Sequence, residues 1–216
     1  MEQERRFLTE KIEIRAKEDG SESRTIRGYA AVFDRESDKI AAKDNVFVEK
    51  ISRNAFDNAD KSDIVCLFNH DSNYILGRSK NGEGSMKTGV DERGLWYELD
   101  LPNTTTGNDL LESLKRGDIQ SSSFAFAIER GGDKWEKEER SGESIFVRSI
   151  NKIAKVFDTS LVVNPAYPDA SVALRSLQSL AQEFHKEEDH QDPIPTENLS
   201  IAHRQRALEL IDKSAI

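Results

Sequence analysis

Ser121-Ser122-Ser123-Phe124-Ala125-Phe126-Ala127-Ile128 carries a two-residue period. Side chains alternate between the faces of a strand, so Ser122, Phe124, Phe126 and Ile128 share one side and Ser121, Ser123, Ala125 and Ala127 the other. The aromatic side must turn to a core. The opposite side offers a hydroxyl beside small alanines, which leaves room for another chain to lie alongside. Just ahead, Asn108–Arg116 has leucines at 110, 111 and 114 on one helical face, with Asp109 near its start and Lys115, Arg116 and Gly117 at its end. Acid at the positive end of the helix dipole, base at the negative end and a glycine cap all predict a helix there.

Working outward, Ile12–Arg15, Thr25–Phe33, Ile64–Phe68, Leu95–Leu99 and Ile145–Val147 are rich in β-branched and aromatic residues. Turns such as Asp91-Glu92-Arg93-Gly94 separate them, and a short helix is expected over Arg53–Asn58. Many short strands in succession favour a closed or nearly closed barrel over alternating βαβ units. The expected class is α+β and mainly β: an antiparallel β-barrel flanked by helices.

The character changes after Pro168. Ala173–Ala181 has helical apolar spacing, Glu183–Asp192 holds five acids and one Lys, and Leu199–Ile211 is amphipathic. Residues 1–170 therefore read as the main domain. Residues 171–216 read as an acidic linker and a C-terminal helix, a helical or disordered tail that lacks a partner for its apolar face.

Of the 216 residues, 33% are charged and 36% hydrophobic, and the net charge is -9. Mean hydropathy is -0.67. A net negative chain is a poor binder of phosphate backbones, so no nucleic-acid partner is expected. Met1–Arg6 is followed by no apolar h-region, and no run approaches the roughly 20 apolar residues of a membrane span. The single cysteine, Cys66, can form neither an internal disulfide nor a thiolate cluster. The expectation is a soluble, intracellular chain with no cofactor and no structural metal.

Three places bear chemistry. Histidines stand at 70, 185, 190 and 203, and only His70 lies outside the polar tail, where an apolar strand meets a loop in Phe68-Asn69-His70-Asp71. An imidazole there is either a capping group or a general base, its ordinary pKa of about 6.5 suiting the second role. Ser123 is a nucleophile or a strand-start serine satisfying turn hydrogen bonds. Asp158 sits in Val156-Phe157-Asp158-Thr159-Ser160-Leu161-Val162-Val163, apolar on both sides, and such a carboxylate needs a cation, imidazolium or otherwise. Cys66, between Val65 and Leu67, reads as a buried inert thiol rather than the nucleophile of a cysteine hydrolase.

Taken in order, these places belong to a longer series. It runs through Gly28-Tyr29-Ala30-Ala31-Val32-Phe33, Phe47 with Glu49-Lys50-Ile51, Ala55-Phe56, Asn69-His70-Asp71, Leu76-Gly77-Arg78, Gly94-Leu95 and Leu101-Pro102. It continues with Gly117-Asp118-Ile119, Ser123-Phe124-Ala125-Phe126, Asp158-Thr159-Ser160-Leu161-Val162-Val163 and Asn164-Pro165-Ala166-Tyr167. From about residue 10 to 170 the series resembles the tailed-phage prohead, or capsid maturation, serine protease family. The resemblance implies a fold similar to herpesvirus maturation proteases, a β-barrel flanked by helices. It implies cleavage of scaffolding segments, including that of the major capsid protein, followed by self-cleavage. The setting it implies is the prohead interior within the bacterial host cytoplasm. The implied partners are the capsid protein and the enzyme itself, with a homo-oligomer left open. The family's histidine corresponds to His70, its nucleophile to Ser123 and its acid to Asp158. Two departures stand out: Ala125 where Gly is usual, and Ser121-Ser122 in place of a Gly-Met type pair. Ser123 is chosen among the three serines because it immediately precedes Phe-x-Phe. The alternative is a capsid-assembly module with no chemistry, which leaves His70, Ser123 and Asp158 unexplained.

Overall fold

The computed structural model describes residues 2–16, 23–42, 45–140 and 142–163, all within a compact unit spanning Met1–Leu174. The expected linker and helices of 171–216 lie outside the described residues. In chain order the elements are β1 (Glu4–Thr9), β2 (Glu13–Ile14), β3 (Thr25–Val32), β4 (Ile40–Ala42), β5 (Asn45–Ile51), β6 (Asp63–Phe68) and β7 (Asp71–Lys80). They continue with β8 (Glu83–Gly84), β9 (Met86–Val90), β10 (Gly94–Asp100), α1 (Thr105–Arg116), β11 (Ser121–Ile128), β12 (Asp133–Arg140), β13 (Glu143–Ile150) and β14 (Ile153–Val162).

The strands pair into three sheets, in the orders β1-β11-β14-β6-β7-β8, β2-β3-β10-β9 and β12-β13-β5-β4. The mainly-β expectation holds. Two details of the barrel do not. Among the described residues no sheet closes on itself, and β14–β6 and β13–β5 run parallel. Parallel neighbours need a long crossover. Here the paired residues, such as Val65 with Asp158 and Phe47 with Phe146, lie 93 and 99 positions apart, a separation that local sequence pattern cannot report.

The helix begins at Thr105, three residues before the expected start. Thr104 caps it by accepting from the Gly107 amide, and Gly117 closes it at φ 79° with its N–H bonded to Leu114 O. Asp109 consequently falls in the second turn, while Leu110, Leu111 and Leu114 are buried as their spacing requires. Arg53–Asn58 is not a helix. Bonds such as Ala55 N to Ser52 O and Asp57 N to Asn54 O make it a run of turns that buries Ala55 and Phe56. The charged strand β12 was not anticipated. Its Lys, Glu and Arg side chains occupy a sheet edge, where charge discourages pairing with foreign strands.

Phe124 and Phe126 stack at 4.5 Å in the main core, beside Phe56, Ile26, Leu95 and the helix leucines. Tyr97 enters this core through a gap at Gly28, where a Cβ would lie 2.5 Å from the phenolic oxygen. Buried charges fasten β1, the strand beside β11, to β5 and β13. Arg6 pairs with Glu4 and Glu49, and Arg148 pairs with Glu4, Glu49 and Asp133 at 2.7 to 2.8 Å. These pairs join the first sheet to the third. Burial opposes ionisation of Glu49, but Arg6 and Arg148 outweigh it and hold the carboxyl below its usual range.

Candidate active site

His70 is placed by a two-residue hairpin. Phe68 pairs with Asp71, and between them Asn69 and His70 both adopt left-handed backbone, at φ 53° and 58°. Both positive φ values are what a type I′ turn requires, and Asn and His are among the few side chains that enter that region readily. The tip is tied to the neighbouring strand end: Asn69 N–H donates to Leu161 O at 2.9 Å, and Val163 N–H donates to Asn69 Oδ1 at 3.1 Å. Because β6 and β14 are parallel, the turn that ends β6 lies beside the C-terminal part of β14.

Ser123 lies on β11, facing Phe7 of β1 on one side and Ser160 of β14 on the other. The face with Ser121, Ser123, Ala125 and Ala127 is not open as the sequence suggested; all four are buried. The three serines separate cleanly. Ser122 Oγ is bonded to Tyr97 Oη at 2.7 Å inside the core, and Ser121 Oγ is 3.4 Å from Thr9 Oγ1. Only Ser123 meets an imidazole.

Asp158 reaches the same face through a bulge. Phe126 pairs with Val156 while Ala125 pairs with Asp158, so Phe157 is an extra residue on β14. Strict alternation would send Asp158 into the core with Val156. One inserted residue flips the face, and Asp158 and Ser160 then stand beside Ser123.

The three candidate residues come together. His70 Nε2 is 2.6 Å from Ser123 Oγ, and His70 Nδ1 is 2.6 Å from Asp158 Oδ1. The side chains of His70 and Asp158 are 9% and 7% exposed, so water screens the pair little. An ionised carboxylate can only accept, so Nδ1 carries the proton and Nε2 is left as acceptor for the serine. Ser160, missed as a site residue, donates to Asp158 Oδ1 at 2.9 Å and lies 3.1 Å from His70 Nδ1. The signal for it was its spacing, two residues from Asp158 and so on the same face. The Arg6 carbonyl is a second acceptor for the Ser123 hydroxyl, at 2.9 Å. One proton thus has two acceptors, the imidazole and a backbone oxygen.

A hydroxyl, an imidazole and a carboxylate linked in this order form an arrangement that can ready a hydroxyl to attack a carbonyl. Cys66 has no such neighbours; burial, with the Asp158 charge adding to it, pushes its thiol up to about 12. Residues 10–183 match the family described as Caudovirus prohead serine protease. The chain belongs to that family. No curated protein and no solved structure matches it. As a prohead serine protease it is a peptide hydrolase of capsid maturation. The matched range includes every strand that carries part of the site except β1, whose Arg6 carbonyl faces the serine. His185, His190 and His203 lie outside the described residues. Among the described residues no group of His, Cys, Asp and Glu could hold a metal ion, and no helix is long and apolar enough to cross a membrane.

Proposed function

We propose that this prohead protease works through Ser123 as nucleophile, His70 as general base and Asp158 as the carboxylate that orients the imidazole. The observation that carries the reading is the pair of 2.6 Å contacts on the two nitrogens of His70. As Ser123 Oγ bonds to the scissile carbonyl carbon, its proton passes to His70 Nε2. The imidazolium is stabilised by Asp158, whose carboxylate Ser160 also holds. The tetrahedral intermediate collapses as His70 returns the proton to the departing amine, leaving an acyl-enzyme. Water, deprotonated by the same imidazole, then releases the acid.

The substrates on this reading are the scaffolding segment of the major capsid protein and the enzyme's own tail, cut inside the prohead. The tail is proposed as a substrate because Glu183–Pro195 is the least foldable stretch by composition, and proteases cut extended, accessible chain. Leu199–Ile211 would be the piece that docks to capsid or scaffold before it is removed. The test is mass spectrometry of the purified chain and of chain mixed with capsid protein. Products ending between about Arg175 and Pro195, together with a shortened capsid protein, are expected from the wild type and not from Ser123→Ala. A stable full-length chain beside active capsid cleavage would overturn the self-processing part, and cleavage by Ser123→Ala would overturn the nucleophile.

A further inference from the structure

The sheet face that bears Ser123, Asp158 and Ser160 extends past them onto β6 and β7. On β6, Val65 pairs with Asp158 and Leu67 with Ser160. On β7, Arg78 pairs with Val65 and Ile75 with Leu67. The bulge that turns Asp158 to this face also brings Phe157 onto it. Val65, Leu67, Ile75 and Phe157 floor a depression of about 360 Å³. Ile75 is 57% exposed there, on the stretch of β7 beyond its pairing with β8, which is confined to Ser79 and Lys80. The charges at the rim are already neutralised: Arg78 by Asp63 at 2.5 Å, and Lys155 by Asp60 at 2.7 Å. What remains is an apolar floor with no net charge calling for a counterion.

We propose that this depression is the subsite for an apolar side chain of the substrate, within the first two residues after the scissile bond. The proposal rests on the assignment of Ser123 and His70 given above. Its direction follows from proton transfer. The departing nitrogen must come to His70 Nε2, which protonates it. His70 touches Asp158 and Ser160, so it lies on the β14 side of Ser123, away from β1. The chain that follows the cut therefore crosses β14 toward β6 and β7. Neighbouring strands are about 4.8 Å apart, so the Val65–Leu67 column lies roughly 10 Å from Ser123. Two extended residues of about 3.3 Å each, plus a side chain, span that distance. Burying a Leu or Phe against Ile75 and Phe157 removes apolar surface from water on both partners.

The probe is a library of peptides prepared from a bacterial proteome, incubated with the full chain and read by mass spectrometry. The enzymes compared are wild type, Ser123→Ala, Ile75→Asp and a control, Val90→Asp, at a similarly exposed apolar site on β9 in another sheet. Among Ser123-dependent cuts, Leu, Ile, Val, Met or Phe are expected to be enriched at the first or second position after the bond. For a matched pair of peptides, Ile75→Asp is expected to lower kcat/KM at least about tenfold when Leu stands there and much less when Gly does, the range that apolar pockets command. Val90→Asp should leave both rates unchanged, and all variants should unfold at the wild-type midpoint. Enrichment only before the cut, or an equal loss on both peptides, overturns the subsite and leaves the proteolysis standing. Absence of any Ser123-dependent cut overturns both.

Discussion

Ser122 and Ser123 are adjacent in β11, and their hydroxyls serve opposite faces: Ser122 bonds Tyr97 in the core at 2.7 Å, Ser123 meets His70 at 2.6 Å. Replacing each by alanine should therefore separate folding from chemistry. Ser123→Ala is expected to remove all proteolysis and leave a folded protein. Ser122→Ala is expected to keep activity while costing about 1–3 kcal/mol, because it strands the buried Tyr97 hydroxyl. Urea unfolding beside a cleavage assay measures both, and activity lost with Ser122 rather than Ser123 would move the nucleophile one residue.

Asp158 and Ser160 should differ in degree. With Asp158→Asn the imidazole is held in the wrong tautomer, and losses up to about 10⁴-fold in kcat are expected. Ser160→Ala removes one donor to the carboxylate, a bond to a charged group worth about 1.5–3 kcal/mol, and should cut kcat less. An alanine at 158 with near-normal kcat would leave a serine–histidine dyad and make Asp158 structural.

The turn that presents His70 can be tested at Asn69. Asn69→Ala places an ordinary side chain at φ 53° and deletes the acceptor for the Val163 amide. Left-handed backbone costs such a residue about 1–2 kcal/mol. Asn69→Gly deletes the same acceptor without that steric cost. The glycine variant should therefore be the more stable of the two in urea. It should also keep more activity, since its His70 is less displaced. Equal stability would mean the turn relaxes when Asn69 is lost.

Stability should fall in acid through Glu49. Burial raises its carboxyl and the two arginines lower it further, so the folded value lies below the ordinary figure of about 4.3. A depressed folded pKa contributes stability that is fully present above the unfolded value. As pH falls below about 4.3 the unfolded chain takes up a proton the folded chain refuses, and the contribution is lost progressively toward the folded pKa. Urea midpoints between pH 7 and pH 3 should therefore drop more steeply for wild type than for Glu49→Gln. At pH 7 that variant, leaving Arg6 and Arg148 short of a partner, should lose about 3–5 kcal/mol. Parallel pH profiles would show that Glu49 contributes nothing to the slope.

Much of this was legible in local pattern. The aromatic face of β11, the leucine face of α1 and the Asp91–Gly94 turn each follow from spacing within ten residues. So does the choice of His70, since His185, His190 and His203 all fall in the polar tail. Where sequence reading fell short, the deciding partner was distant. Arg53–Asn58 forms turns rather than a helix while the Ile153 N–H takes the Ala55 carbonyl at 2.8 Å and Phe56 packs between Phe33 and Phe124. The charged strand β12 pairs along eight rungs with β13, and β13 is itself held in the sheet by its parallel pairing with the distant β5, Phe146 beside Phe47.

Residue identity alone supplied the nucleophile's type, the one histidine outside the tail and a carboxylate in an apolar run. Those are properties of side chains and their immediate neighbours. That they meet was decided in three dimensions, by the parallel pairing of β6 with β14 and by one extra residue at Phe157. Without that bulge the two-residue period would bury Asp158 beside Val156, on the wrong side of the sheet. A period can be read along a chain. The residue at which it is interrupted is fixed by the strands on either side, because only their hydrogen-bond register determines which face each side chain must take.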